Sequence, residues 1–218
     1  MPVLPFSTDD EIVGFAKAFL HEHRVRFRKD IKICLTPNRG DECAYFPALI
    51  TCIAFAEFLS GLYAGNLNGP ALKQIKKYAA DFLPYEYTKD RLDVLYECFR
   101  HKVAHLALPY AVFDTETKPE TFRGQPKRLI TWTVDSGRRK PAIEIVEVKP
   151  AKQIETAVTP WPVHYDHRAT VYLCRLAYDI VQSVLRYLRY LETDAPARGR
   201  FKACMPVCFS GDTTASED

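Results

Sequence analysis

The chain reads as a mainly α-helical bundle with a β-hairpin inserted before its last long helix, and three observations lead to that class. Four stretches in the first half repeat apolar residues at helical spacing and are bounded by capping residues, turns or proline. One of them, Tyr45 to Gly65, is almost wholly apolar, as a helix buried on all sides would be. Two later segments, Arg128–Val134 and Ala142–Val148, are rich in β-branched residues and flank a turn containing glycine and arginine.

The elements follow in order. Thr8-Asp9-Asp10-Glu11 forms a capping box, and the periodic run after it predicts a first helix to about Lys29. Its basic end, from His21 to Lys29, suits the negative pole of a helix and also offers Arg24, Arg26 and Arg28 as contacts for nucleic-acid phosphates. A loop with Pro37, Asn38 and Gly40 leads into a second helix over roughly residues 42–64. Its length would cross a membrane. The run is solitary, however, and carries Glu57 as its only charge, which favours a core helix over a membrane span. A buried acid needs a partner, which Arg100 or another arginine would supply; a position on the helix rim is the equal alternative.

Residues 65–69 form a turn, and Pro70 suits the first position of a third helix ending near Phe82. Pro84 breaks the chain, a fourth helix runs from about Thr88 to His105, and Pro109 enforces its stop. After a polar stretch, the two β-rich segments are expected to pair as a hairpin over about 128–148. Three prolines then lead into a last helix over about 164–193. Residues 1–194 thus read as a single domain, and 195–218 as a flexible tail of small and polar residues.

Composition narrows the function classes. The 218 residues are enough for a proper core, and a net charge of +3 is too small to mark a nucleic-acid binder by itself. Seven cysteines form an odd set without CxxC spacing, and the N-terminus lacks the blocks of a signal peptide, which fits reduced thiols in the cytoplasm. The absence of a P-loop, a GxGxxG turn and a nucleophile elbow disfavours nucleotide-driven and α/β-hydrolase chemistry. His164 and His167 flank Asp166 but lack further ligands nearby, so neither a metal nor a cofactor is expected.

Two helical faces carry chemistry. In the fourth helix, Leu92, Leu95, Phe99, Val103 and Leu106 make the core stripe, while Arg100 and His105, about 140° apart, bracket the opposite face with Asp93, Glu97 and His101 between them. That face is either solvated, with Glu97 pairing Arg100 and His101, or closed over by a second copy that brings two such pairs into one cleft. In the last helix, Leu173, Leu176, Ala177, Ile180, Val184, Leu188 and Leu191 make the core stripe. Arg168, Arg175, Arg186 and Arg189 lie opposite it, interrupted by Asp179, as a row able to track phosphates or simply meet water. Tyr172, Tyr178, Tyr187 and Tyr190 suit aromatic packing or an interface.

The run Leu95-Tyr96-Glu97-Cys98-Phe99-Arg100-His101-Lys102-Val103-Ala104-His105 resembles the R-x4-H motif of the HEPN superfamily, in particular small bacterial proteins with the pattern LYxxFRHxxxH. The likeness covers roughly residues 45–108, with the last helix completing a bundle. It implies a HEPN-like homodimer whose cleft holds both motifs and which acts as a metal-independent endoribonuclease on single-stranded RNA. Arg100 and His105 would be the catalytic pair, with His101 a supporting polar group. A catalytically silent HEPN-like binding or regulatory module, taking a regulatory or antitoxin partner or nucleic acid, is the alternative it implies. The chemistry suits the residues: an arginine fork holds phosphate oxygens, and a histidine moves a proton near neutral pH.

Overall fold

The computed structural model describes residues 6, 8–37, 43–100, 112–154 and 162–210. Among these are one four-stranded sheet and seven helices. They are α1 (Asp9–Leu35), α2 (Tyr45–Ala64), α3 (Ala71–Phe82), α4 (Lys89–Leu95), the short α5 (Pro119–Phe122), α6 (Leu173–Thr193) and α7 (Ala195–Ser210). The strands are β1 (Phe113–Asp114), β2 (Leu129–Asp135), β3 (Ile143–Gln153) and β4 (His164–Tyr172). The mainly helical class is as the periodicity predicts.

The capping box forms as expected. Glu11 N donates to Thr8 Oγ1, and Thr8 N donates to Glu11 Oε2 at 2.9 Å. The helix runs on past Lys29, because Ile31 is still buried against the core. Helix α2 lies centrally, in contact with α1, α3, α6 and α7, and half of its twenty residues are buried. It is the one described helix long and apolar enough to cross a membrane, and its place here is that of a core helix. Gly65 ends it in the left-handed conformation, with φ 78°. Pro70 caps α3 from just outside its first turn.

The fourth helix departs from expectation. Regular α-helix stops at Leu95, and Tyr96–Arg100 forms a single π-helical turn. Tyr96, Cys98 and Phe99 are buried in this turn, continuing the burial of Leu92–Leu95 ahead of it. Residues 101–111, and with them His101, His105 and Pro109, lie outside the described residues.

Three other expectations are corrected. The two predicted strands exist but do not form a hairpin with each other. The sheet order is β1-β2-β4-β3, so β4 lies between them, parallel to β2 and antiparallel to β3. Residues 164–172 are therefore strand rather than the start of the last helix. Their burial alternates, with Tyr165, Ala169 and Val171 facing the core, and Tyr172 passes directly into α6. Lastly, 195–210 is a helix and not a tail. Ala197, Phe201, Cys204 and Met205 bury one side of it, at the three-to-four spacing of a helix. The sheet meets the helices through Trp132, whose ring packs edge-on against Phe46 and Phe99.

Candidate functional site

The polar face of α4 and its π turn is the first place to look, and it is not solvated. Asp93 is 1% exposed and pairs with Lys76 of α3 at 2.6 Å. Glu97 pairs with Lys118, ahead of α5, at 2.8 Å, and that bond raises the Lys118 pKa. Two charges expected to face water or a second copy are thus covered from within the same chain. Glu97 is also not the partner of Arg100, contrary to the helical-pair reading.

Arg100 finds the other expected partner. Its Nε donates to Glu57 Oε1 at 2.9 Å, joining the π turn to the centre of α2. The Arg100 side chain is one-third exposed and that of Glu57 about one-fifth. Only the ε edge of the guanidinium is engaged: its two terminal nitrogens make no hydrogen bond among the described residues. Glu57 therefore holds the guanidinium by its ε edge. Tyr96 stands beside the same carboxylate, and burial together with that negative charge pushes its phenol pKa well up. The geometry provides a cation at the end of the π turn, held by a carboxylate from the centre of the apolar α2. Histidines 101 and 105 belong to the motif by sequence alone, since both lie outside the described residues.

The candidate phosphate row on the last helix does not hold together. Arg168 is on β4, where its guanidinium donates to the Tyr165 hydroxyl at 3.3 Å. Arg175 grips Asp179 with two nitrogens, at 2.9 and 2.8 Å, and Asp179 also accepts from the buried Tyr87 hydroxyl. Arg186 donates to the Phe82 carbonyl oxygen at 2.7 Å, holding α6 to the end of α3. Arg189 stays exposed. The physical reason is that α6 begins only at Leu173, which leaves Arg168 on β4, while Arg175 is tied to Asp179; Arg186 and Arg189 remain exposed on the helix.

On α1, Arg24 reaches His21 at 3.5 Å, and Arg26 pairs with Glu22 one turn back. Arg28 stands apart from both and lines a groove between α1 and α6, where Arg175 also lies. His164 and His167 sit three apart on a strand, which points them to opposite faces. The His167 ring instead meets Asp166 Oδ1 at 2.6 Å through Nδ1. Among the described residues, no group of three His, Cys, Asp or Glu could hold a metal ion. All seven cysteines are free thiols.

No family of known proteins, no characterised protein and no solved structure matches this chain. The functional argument therefore rests on the residues themselves. Sequence reasoning missed Lys76 and Lys118, which close the polar face. It could not place them, because how α3 and the segment before α5 pack against α4 is a tertiary matter.

Proposed function

We propose that this chain is a HEPN-like, homodimeric, metal-independent endoribonuclease that cleaves single-stranded RNA in the cytoplasm. The observation that carries the reading is the Glu57–Arg100 clamp, which fixes the ε edge of the guanidinium and leaves its terminal nitrogens for a phosphate. On this reading Arg100 binds two non-bridging oxygens of the scissile phosphate. The ribose 2′-oxygen attacks phosphorus, the bond to the 5′-oxygen breaks, and a 2′,3′-cyclic phosphate is left. His105 exchanges the proton, taking it from the 2′-hydroxyl or delivering one to the 5′-oxygen. His101 and Glu97 support the pair.

A second reading has its own observation. Arg100 is two-thirds covered and tied into an ion pair, as a catalytically silent module that binds a protein partner would allow. Cleavage of end-labelled single-stranded RNA in EDTA separates the two. The enzyme reading expects cyclic-phosphate ends from the wild type and loss of cutting by at least about a hundredfold in Arg100→Ala and His105→Ala. Glu57→Gln, which frees the fork without removing it, is expected to retain part of the rate. If the wild type leaves RNA whole, or the two alanine variants cut equally well, the silent reading takes its place. Sedimentation equilibrium checks the dimer.

A further inference from the structure

The groove between α1 and α6 is lined by none of Glu57, Glu97 and Arg100. Its construction is legible from helical spacing. Along α1, Phe27, Ile31 and Leu35 repeat every four residues and make an apolar wall. One position on, Arg28 and Lys32 repeat at the same interval and make a basic rim beside it. Along α6, Ala177 and Val181 continue the apolar floor, while Arg175 and Tyr178 stand at the edge. Arg138, from the connection between β2 and β3, adds a further cation. The groove holds about 630 Å³, within the range of small-molecule sites.

Its charge is one-sided. No acid lines it, and Arg28, Lys32 and Arg138 form no ion pair among the described residues. Arg175 alone is neutralised, by Asp179 behind the wall, and that pair holds its guanidinium 5.4 Å from the centre of the Tyr178 ring. Tyr178 itself is more than half exposed and offers a ring edge at the mouth of the groove. Three cations that form no ion pair among the described residues, set around an apolar trough, complement a molecule that is negative at one end and apolar along its body.

We propose that this groove binds a small amphipathic organic anion, a phosphate or carboxylate on an apolar chain or ring. The headgroup is taken by Arg28, Lys32 and Arg138, and the body lies on Phe27, Ile31 and Val181. The probe is decyl phosphate below its micelle concentration, titrated calorimetrically into the full chain beside inorganic phosphate and the uncharged decyl maltoside. One-to-one binding of decyl phosphate is expected, with both controls at least about tenfold weaker, a difference of about 1.4 kcal/mol. The surface charge reversals Lys32→Glu and Arg138→Glu are each expected to weaken it about tenfold. Val181→Trp, which fills the trough, should abolish it, and Arg100→Ala should leave it unchanged. Cys174, half-buried in the groove wall, should be alkylated more slowly when the ligand is present.

The proposal is overturned if decyl maltoside binds as well as decyl phosphate, or if the charge reversals bind like wild type. It is equally overturned if the protein sediments with phosphatidylglycerol vesicles yet ignores monomeric decyl phosphate, since the anion is then a membrane surface. Loss of RNA cleavage in Arg100→Ala has no bearing on these outcomes, so this site and the ribonuclease reading fail independently.

Discussion

Asp179 is 3% exposed, yet it carries a carboxylate that Arg175 grips with two nitrogens and the Tyr87 hydroxyl supports. Burial outweighs both partners and raises its pKa above the ordinary 3.8. The folded chain therefore binds more protons than the unfolded one in the window above pH 3.8. The contribution of this group to stability is complete below that pH and is lost as pH rises through the folded value. Urea unfolding across the mildly acidic range should show this slope in wild type, and Asp179→Asn should flatten it. His23 behaves in the opposite sense: burial against Phe19 and Phe58 lowers its pKa below 6.5, so its contribution is full above 6.5 and fades as pH falls. The Glu57–Arg100 pair is only partly buried, and solvent screening limits its worth. Glu57→Gln is expected to cost about 1–2 kcal/mol of unfolding free energy, read from the urea midpoint.

Among the elements, the capped ends at Thr8 and Gly65 were legible, whereas the end of α1, the start of α6 and the strand order were not. Thr8 and Glu11 form their box, and Gly65 takes the φ that only glycine adopts cheaply. A Cβ added at Gly65 would meet Arg200 Cβ at 3.1 Å as well, so Gly65→Ala carries both strain and crowding. It should lower stability by about 1–2 kcal/mol, against about 1 kcal/mol for Thr8→Ala, as compared by thermal unfolding of the two variants. Both are local effects, and a window of four or five residues contains their causes. Strand β4 was misread because Tyr165, Ala169 and Val171 alternate just before the helical pattern from Leu173 begins, with no proline or glycine between the two. The π turn at Tyr96–Arg100 had no signal at all, because it answers to how α2 and Trp132 pack against Phe99.

For the molecule as a whole, α7 closes the helical layer. Phe201 and Met205 are fully buried, Arg200 Nε donates to the Tyr63 carbonyl oxygen of α2, and Arg198 pairs with Asp9 at the start of α1. Phe201→Ala should therefore cost about 3–5 kcal/mol. A chain ended after Asp194 should lose the cooperative unfolding transition followed by circular dichroism. If that shortened chain unfolds as sharply as the full one, α7 is an appendage and not part of the core. What the sequence determined by itself was the helical class, the caps, the central apolar helix and the need for Glu57 to find a cation. Each of these depends on periodicity, backbone conformation or the desolvation of one charge, all of which are local or nearly so. Tertiary structure decided that Arg100 is that cation, that Lys76 and Lys118 close the face once read as open, and that β4 divides the two strands expected to pair. It also gathered Arg28, Lys32 and Arg138 around one trough. Those outcomes depend on which distant surfaces bury each other best, and no short stretch of this chain contains that comparison.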